Sequence, residues 1–292
     1  MVSYDPKEWF VFLFTINKAE TVRKLFPLLL LAAGYAWLVA WLEMEVWQLS
    51  ENSYLRNITV LHTLLGFVIS FALVFRTNTA YDRWWEGRKL WGSLVNNSRN
   101  LAMKIAALLP EGHPDRAYFR SAIPAYAQVL REHLGSEDAR IALFANLPEA
   151  VQEHLDKSQH LPNQVALQML ERAYQLRRSG AISDVELLTL HAELQSFTDI
   201  CGACERIRNT PIPYSYSSFI KKFIFAYTTT LPFGFVFTLG YYVVPIVVFI
   251  LYVLGSLELI AEEIEEPFGA DANDLPLDKI AHNIRTHIHE LI

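Results

Sequence analysis

The residues of this chain best suited to chemistry lie in a few places. Near the C-terminus, LELIAEEIEEPFGADANDLPLDKI crowds Glu258, Glu262, Glu263, Glu265, Glu266, Asp271, Asp274 and Asp278 into a few turns. Cys201-Gly-Ala-Cys204 spells Cys-x-x-Cys, His62 sits inside an apolar run, and Phe67, Phe71 and Phe75 recur every four residues. Dense carboxylates suit a hard cation, which takes oxygen ligands. One Cys-x-x-Cys supplies only half of a four-ligand zinc site, and no βαβ pattern surrounds it as in a redox pair. The two thiols are therefore expected to pack inside a helix bundle. His282, His287 and His289 match no ligand spacing such as HExxH and read as interfacial imidazoles on a solvated helix. No Gly-rich phosphate loop, nucleophile elbow or paired acid and base occurs, so an enzyme is not expected.

An ionisable side chain inside an apolar span faces water or the interior of a helix bundle. With Thr59 and Thr63 nearby, His62 either lines an outer vestibule or bonds a neighbouring helix as a neutral imidazole. Residues four apart share a helical face, so Phe67, Phe71 and Phe75 form one aromatic edge. Gly66 and Ser70 beside them permit close approach of another helix. Around a shared axis such rings gate by dewetting; against lipid they are ordinary apolar surface. Periodicity alone does not choose between the two.

The elements that carry these residues follow from hydropathy. The chain has 292 residues and is 52% hydrophobic, with mean hydropathy +0.18, above the range of an ordinary soluble domain. The excess sits in blocks. Phe26–Leu42, Asn57–Phe75 and Phe223–Leu257 contain no Asp, Glu, Lys or Arg. One span uses about 20 residues, so the third block is expected to fold as two helices turning near Gly240–Pro245, giving four transmembrane helices. Lys18, Arg23 and Lys24 precede the first span, Arg76, Arg83, Arg88 and Lys89 follow the second, and Arg206, Arg208, Lys221 and Lys222 precede the third. The loop between the first two spans carries only Arg56. Both termini and the central region are therefore expected on the cytoplasmic side. No cleavable leader is expected, since the N-terminus lacks a basic n-region and a small-residue cleavage site. A net charge of −6 argues against a nucleic-acid partner, and two cysteines exclude a disulfide-rich secreted scaffold.

No proline interrupts Asn57–Asn100, so a single rod of roughly 65 Å is expected, twice the hydrocarbon thickness. It starts in the membrane and leaves it near Arg76. The expected segments are a cytoplasmic N-terminal stretch (1–25), two spans with a cytosolic extension (26–96, with the long helix at 57–100), a cytoplasmic helical region (97–216), two further spans (217–262) and a cytoplasmic C-terminal stretch (263–292). In the central region Asn163–Arg178 carries a helical apolar stripe ending at Gly180. Ser183-Asp-Val-Glu186 is a capping-box pattern that opens a helix with Leu187, Leu190, Leu194, Phe197 and Cys201 on one face. The chain reads as an all-α membrane protein.

The run FRTNTAYDRWWEGRKLWG from Phe75 to Gly92, Ile212-Pro213 followed by Tyr216, and Glu266-Pro267-Phe268-Gly269 with Asp271 and Asp274 resemble the bestrophin family of ion channels, in its prokaryotic branch. The resemblance covers nearly the whole chain. It implies a homopentamer around one central pore in a bacterial inner membrane, with self, lipid and small monovalent ions as partners. It places the pore neck at Phe67, Phe71 and Phe75 and a cytosolic constriction at Leu194, whose plainer reading is a core leucine. Eukaryotic bestrophins grip calcium with a continuous acidic run after Pro-Phe-Gly. Here the run is diluted to Asp271, Asn273 and Asp274, so no cofactor is required, calcium is the less favoured reading, and a hydrogen-bonded turn is the favoured one. The expected function is passive conduction through an apolar neck, with the acidic C-terminal segment pointing to cations. A chloride channel of the same architecture is the alternative, and a non-conducting membrane scaffold or regulatory subunit is the alternative of another class.

Overall fold

The computed structural model describes residues 20–48, 58–135, 147–152, 155–156 and 158–292. Lys18 and Arg56, used above for orientation, most of the segment 1–25, and Asn57 at the start of the long helix lie outside the described residues. Among the described residues every regular element is helical. In order these are α1 (Glu20–Trp41), a π-helical turn (Leu42–Val46), α2 (Ile58–Leu108), α3 (Pro114–Leu134), the short α4 (Glu149–Gln152), α5 (Leu161–Arg178), α6 (Asp184–Asn209), α7 (Tyr214–Leu239), a 3-10 turn (Gly240–Tyr242), α8 (Val243–Glu265) and α9 (Leu277–Leu291). Three segments are long and apolar enough to cross a bilayer: Thr21–Val46, Ile58–Leu108 and Tyr214–Glu265. The last is divided at Gly240, whose φ of +54° lies in the left-handed region that favours glycine.

The chain forms two compact units. The apolar unit comprises the described residues of Val2–Asp82 and Pro211–Glu265. Its cores join Ala36, Leu231, Val243 and Val247 and, separately, Ile69, Leu73, Ile220, Ile224 and Leu251. Small residues let the backbones close in. A Cβ on Gly255 would meet Leu25 at 3.2 Å, and one on Gly234 would meet the Thr59 backbone nitrogen at 3.2 Å. Such small-residue contacts suit helices in lipid, where packing rather than water exclusion drives association.

The second unit comprises Arg83–Thr210 and Glu266–Ile292. The far half of α2, with α3, α5, α6 and α9, buries Trp91, Leu101, Phe119, Tyr126, Met169, Phe197 and Ile284. The starts of α3, α5 and α6 are capped by side chains, whereas α9 begins after Pro276 without one. Ser183 and Glu186 form the expected reciprocal capping box on α6. His113 and His160 cap α3 and α5, each Nδ1 accepting from a backbone N–H, that of Asp115 and Asn163 respectively. After α5, Gly180 takes φ +78°, and Ala181 and Ile182 donate back to the Leu176 carbonyl, closing the helix end. Leu167, Val185 and Leu188 remain exposed on this unit.

Candidate functional site

Helix α2 contains 51 residues, about 76 Å at 1.5 Å per residue. Phe67, Phe71 and Phe75 stand on one of its faces, 65%, 52% and 60% exposed. Their ring centroids step by 4.8 and 6.3 Å, both with tilted rings, so they make a continuous aromatic ladder. The hydroxyls near it are turned inward: Thr63, Ser70 and Thr79 donate to the carbonyls of Thr59, Gly66 and Phe75, one turn back. These bonds occupy the protons of those three hydroxyls.

The opposite side of α2 is anchored. Ile69 and Leu73 pack against α7 and α8, and the Tyr216 hydroxyl donates to the Ala72 carbonyl at 3.2 Å. Arg76 follows immediately after the ladder and is 1% exposed. Its Nη2 lies 2.7 Å from Glu265, and its Nε 3.5 Å from Glu258. Glu265 also accepts from the backbone N–H of Ile212 at 2.7 Å. One buried cation thus ties α2 to the end of α8, and α8 to the start of α7. Sequence reasoning missed this cluster, although Arg76 and both glutamates were in view. The available signal was that a charge at the end of an apolar helix must find opposite charge if it is buried.

The Arg-Trp-Trp-Glu-Gly stretch does comparable work in the second unit. The Arg83 guanidinium donates to the carbonyls of Ile207 (2.5 Å) and Thr210 (2.6 Å), closing the C-terminal end of α6. Glu86 pairs with Arg206 at 2.6 Å. Trp84 Nε1 donates to the Asn273 carbonyl at 3.0 Å. A Cβ on Gly87 would meet the Phe268 ring at 3.0 Å, so only hydrogen fits there. The motif and the Pro-Phe-Gly turn therefore dock on each other.

Asp271, Asn273 and Asp274 lie together in that turn. Asp274 is buried, and its Oδ2 accepts from the Asp271 backbone N–H at 2.6 Å. Leu275 donates to the Pro267 carbonyl. Asn273 contributes its carbonyl to Trp84, and Asp271 is exposed. A calcium ion needs six or more converging oxygens; this turn instead directs its buried carboxylate at its own backbone. The three residues do not fit a calcium shell.

His62 is buried, not exposed to a vestibule. Its Nδ1 lies 3.0 Å from the Ile58 carbonyl and its Nε2 3.0 Å from the Thr230 hydroxyl on α7. A carbonyl only accepts, so in the neutral ring Nδ1 carries the proton and Nε2 accepts from Thr230. Of the two readings left open for His62, the geometry holds the bond to a neighbouring helix. Leu194 is 4% exposed and packs in the core of its unit; this is the place of a core leucine. Cys201 and Cys204 are also buried, and burial pushes the Cys201 thiol up to about 12. His287 and His289 accept hydrogen bonds from Arg99 and Arg120.

Four carboxylates of the acidic segment are engaged within the apolar unit. Glu263 pairs with Lys24, Glu262 with Lys221, and Glu258 and Glu265 with Arg76. Three cations thus face four of the segment's eight carboxylates.

Comparison with known proteins matches residues 1–290 to the model of the bacterial/fungal bestrophin proteins. A voltage-dependent anion channel-forming protein of Synechocystis is 37% identical over 78% of this chain and 75% of its own length. One of the same name from Mesorhizobium japonicum is 32% identical over 98% of this chain and 91% of its own. The crystal structure of a bacterial bestrophin homologue from Klebsiella pneumoniae, solved by Zn-SAD phasing, superposes with TM-score 0.81 at 29% identity, covering 90% of this chain and 96% of that one. Sequence agreement over residues 1–290 and fold agreement of this kind make this membrane protein a member of the bacterial/fungal bestrophin family.

Proposed function

We propose that the chain is the subunit of a passive, non-enzymatic anion channel, in which copies of α2 set the ladder of Phe67, Phe71 and Phe75 around a shared axis as an apolar neck. The observation that carries this reading is the ladder itself: three large rings exposed on one face of a membrane-length helix whose opposite face is fixed by Arg76. Family resemblance supplies the five-fold arrangement. The division of Tyr214–Glu265 at Gly240 supports four spans per subunit, and the Lys/Arg distribution supports both termini on the cytoplasmic side of a bacterial inner membrane.

The relatives' names favour anions. The cation preference expected from the acidic segment is not retained: the relatives' names speak for anions, and four of the eight carboxylates that motivated it are paired with Lys24, Lys221 and Arg76. Anion passage through phenyl rings uses their weakly positive edges. Leu194, being buried, has no part in this proposal. Reversal potentials of the purified protein in planar bilayers under a chloride gradient test the ion choice; a potential tracking the cation returns the reading to a cation channel. Replacing Phe67, Phe71 and Phe75 together by alanine raises conductance if they form the neck. Unchanged conductance removes them from the path, and absence of any flux from liposomes makes the chain a scaffold.

A further inference from the structure

A cluster in the second unit is used by none of the above. His133 lies in the last turn of α3, His160 caps α5, and Cys201 and Glu205 stand one turn apart on the same face of α6. The Nε2 atoms of both histidines lie 2.6 Å from the same oxygen, Glu205 Oε1. The two imidazole centroids are 4.4 Å apart. The nitrogen, sulfur and carboxylate donor atoms of all four residues fall within 4.8 Å of one another. Cys201 forms the buried floor, while the two histidines and Glu205 keep partial exposure, so an ion has an entry path.

We propose that His133, His160, Cys201 and Glu205 form a four-ligand site for a divalent transition metal of the zinc class, which clamps α3, α5 and α6 together. The donor set is two imidazoles, one thiolate and one carboxylate. Nitrogen and sulfur donors select zinc-class ions over calcium and magnesium, which take oxygen. Zinc-to-ligand distances of about 2.0–2.3 Å in a tetrahedron place neighbouring donors about 3.3–3.7 Å apart. The cluster thus needs only shifts of about 1 Å, the His-to-Glu contacts opening to admit the ion. Charge closes as well: a dication, one thiolate, one carboxylate and two neutral imidazoles sum to zero.

Each ligand's proton has a destination. His133 Nε2 carries the proton it gives Glu205, and coordination through Nε2 moves it to Nδ1. The Cys201 thiol gives its proton to solvent, because metal coordination deprotonates a thiol outright. The His160 Nδ1 accepts from the Asn163 N–H, so in the metal-free ring Nε2 carries the proton it donates to Glu205. Coordination through Nε2 moves that proton to Nδ1 and gives up the cap bond to Asn163, a contact at 3.2 Å. Three of the four ligands come from separate elements, and Cys201-x-x-x-Glu205 is the only pair close in sequence. No local motif reveals such a site. The inference stands apart from conduction, since it concerns a single subunit.

The test uses full-length protein purified in detergent and stripped with EDTA. Cobalt(II) is titrated while the visible and near-ultraviolet spectrum is recorded, and bound zinc is counted by elemental analysis. One metal per chain is expected, with tetrahedral cobalt bands and a thiolate charge-transfer band. Cys201→Ser keeps the visible bands and loses the charge-transfer band. His160→Asn removes a ligand yet keeps a good helix cap, so the variant folds; its cobalt affinity falls by more than the about 10–100-fold that loss of a mere outer-shell partner costs. Uptake by the wild type no greater than by a folded His160→Asn/Cys201→Ser double variant, or saturation by calcium at equal concentration, overturns the proposal and leaves a hydrogen-bonded His–Glu–His brace.

Discussion

Replacing Arg76 by methionine probes the anchor behind the phenylalanine ladder. The guanidinium is almost fully buried and faces two carboxylates, Glu265 at 2.7 Å and Glu258 at 3.5 Å. Methionine fills a similar volume but leaves both carboxylates without their cation. Glu265 retains the Ile212 N–H, whereas Glu258 has no hydrogen-bond donor other than Arg76 among the described residues. Removing one partner of a buried ion pair costs about 3–5 kcal/mol, most of it the uncompensated charge left behind. At about 2–4 °C per kcal/mol the thermal midpoint falls by about 6–20 °C. The assay is the fraction of detergent-solubilised protein remaining monodisperse after heating, with Lys89→Met as an exposed control. The triple change Arg76→Met, Glu258→Met, Glu265→Gln restores most of the loss, since it removes the stranded charges and keeps an acceptor for Ile212. A midpoint for Arg76→Met within 2 °C of the control, or a triple variant no better than the single one, refutes the assignment of Arg76 as the buried cation that holds α8 to α2.

Gly87→Ala forces a Cβ to 3.0 Å from the Phe268 ring and 3.3 Å from Pro267; overpacking of this kind costs about 1–3 kcal/mol, and Gly87→Ala combined with Phe268→Leu should recover part of the lost midpoint. In EDTA-stripped folded protein Cys201 and Cys204 should resist maleimide near pH 8, because burial raises both thiols; mass spectrometry after denaturation should show two modified sites, and modification without denaturation would contradict their burial. Burial pushes the Glu205 carboxyl up, but hydrogen bonds from His160 and His133 outweigh it and hold the group below its ordinary 4.5. A depressed carboxylate contributes stability that is complete above the ordinary value and vanishes as pH falls through the folded one. Stripped wild type should therefore exceed Glu205→Gln in thermal midpoint above the ordinary carboxylate value of 4.5 and converge with it as pH falls below that value; a constant gap would show that the charge is not involved.

What the sequence made legible was the part written locally. The proline-free run predicted one long helix through Asn100, and α2 extends further, to Leu108. Ser183 and Glu186 announced a helix start that the reciprocal bonds confirm, and the break expected near Gly240–Pro245 falls at Gly240. Prolines 27, 124 and 232 sit inside helices; lipid-facing and tightly packed segments tolerate such interruptions because neighbours take up the freed backbone groups. The site was less legible because its decisive pairs are distant in sequence. Arg76 meets Glu265, and His133 meets Glu205, only after the chain has folded. Periodicity tells which face of a helix is apolar, never what that face touches. It gave Leu194 a stripe without saying that the stripe is interior, and it could not show that His62 would find Thr230. Histidine as an N-cap, at His113 and His160, also escapes a rule built on Ser, Thr, Asp and Asn.

The exposed ladder on α2 bears on how copies come together. Acyl chains solvate a phenyl ring about as well as another phenyl ring does, so a solitary subunit is at ease in a bilayer with its aromatic edge against lipid. The rings are therefore no adhesive. In the proposed channel, whatever gathers subunits acts through other surfaces, and trimming the three side chains is expected to widen the passage without dispersing its builders.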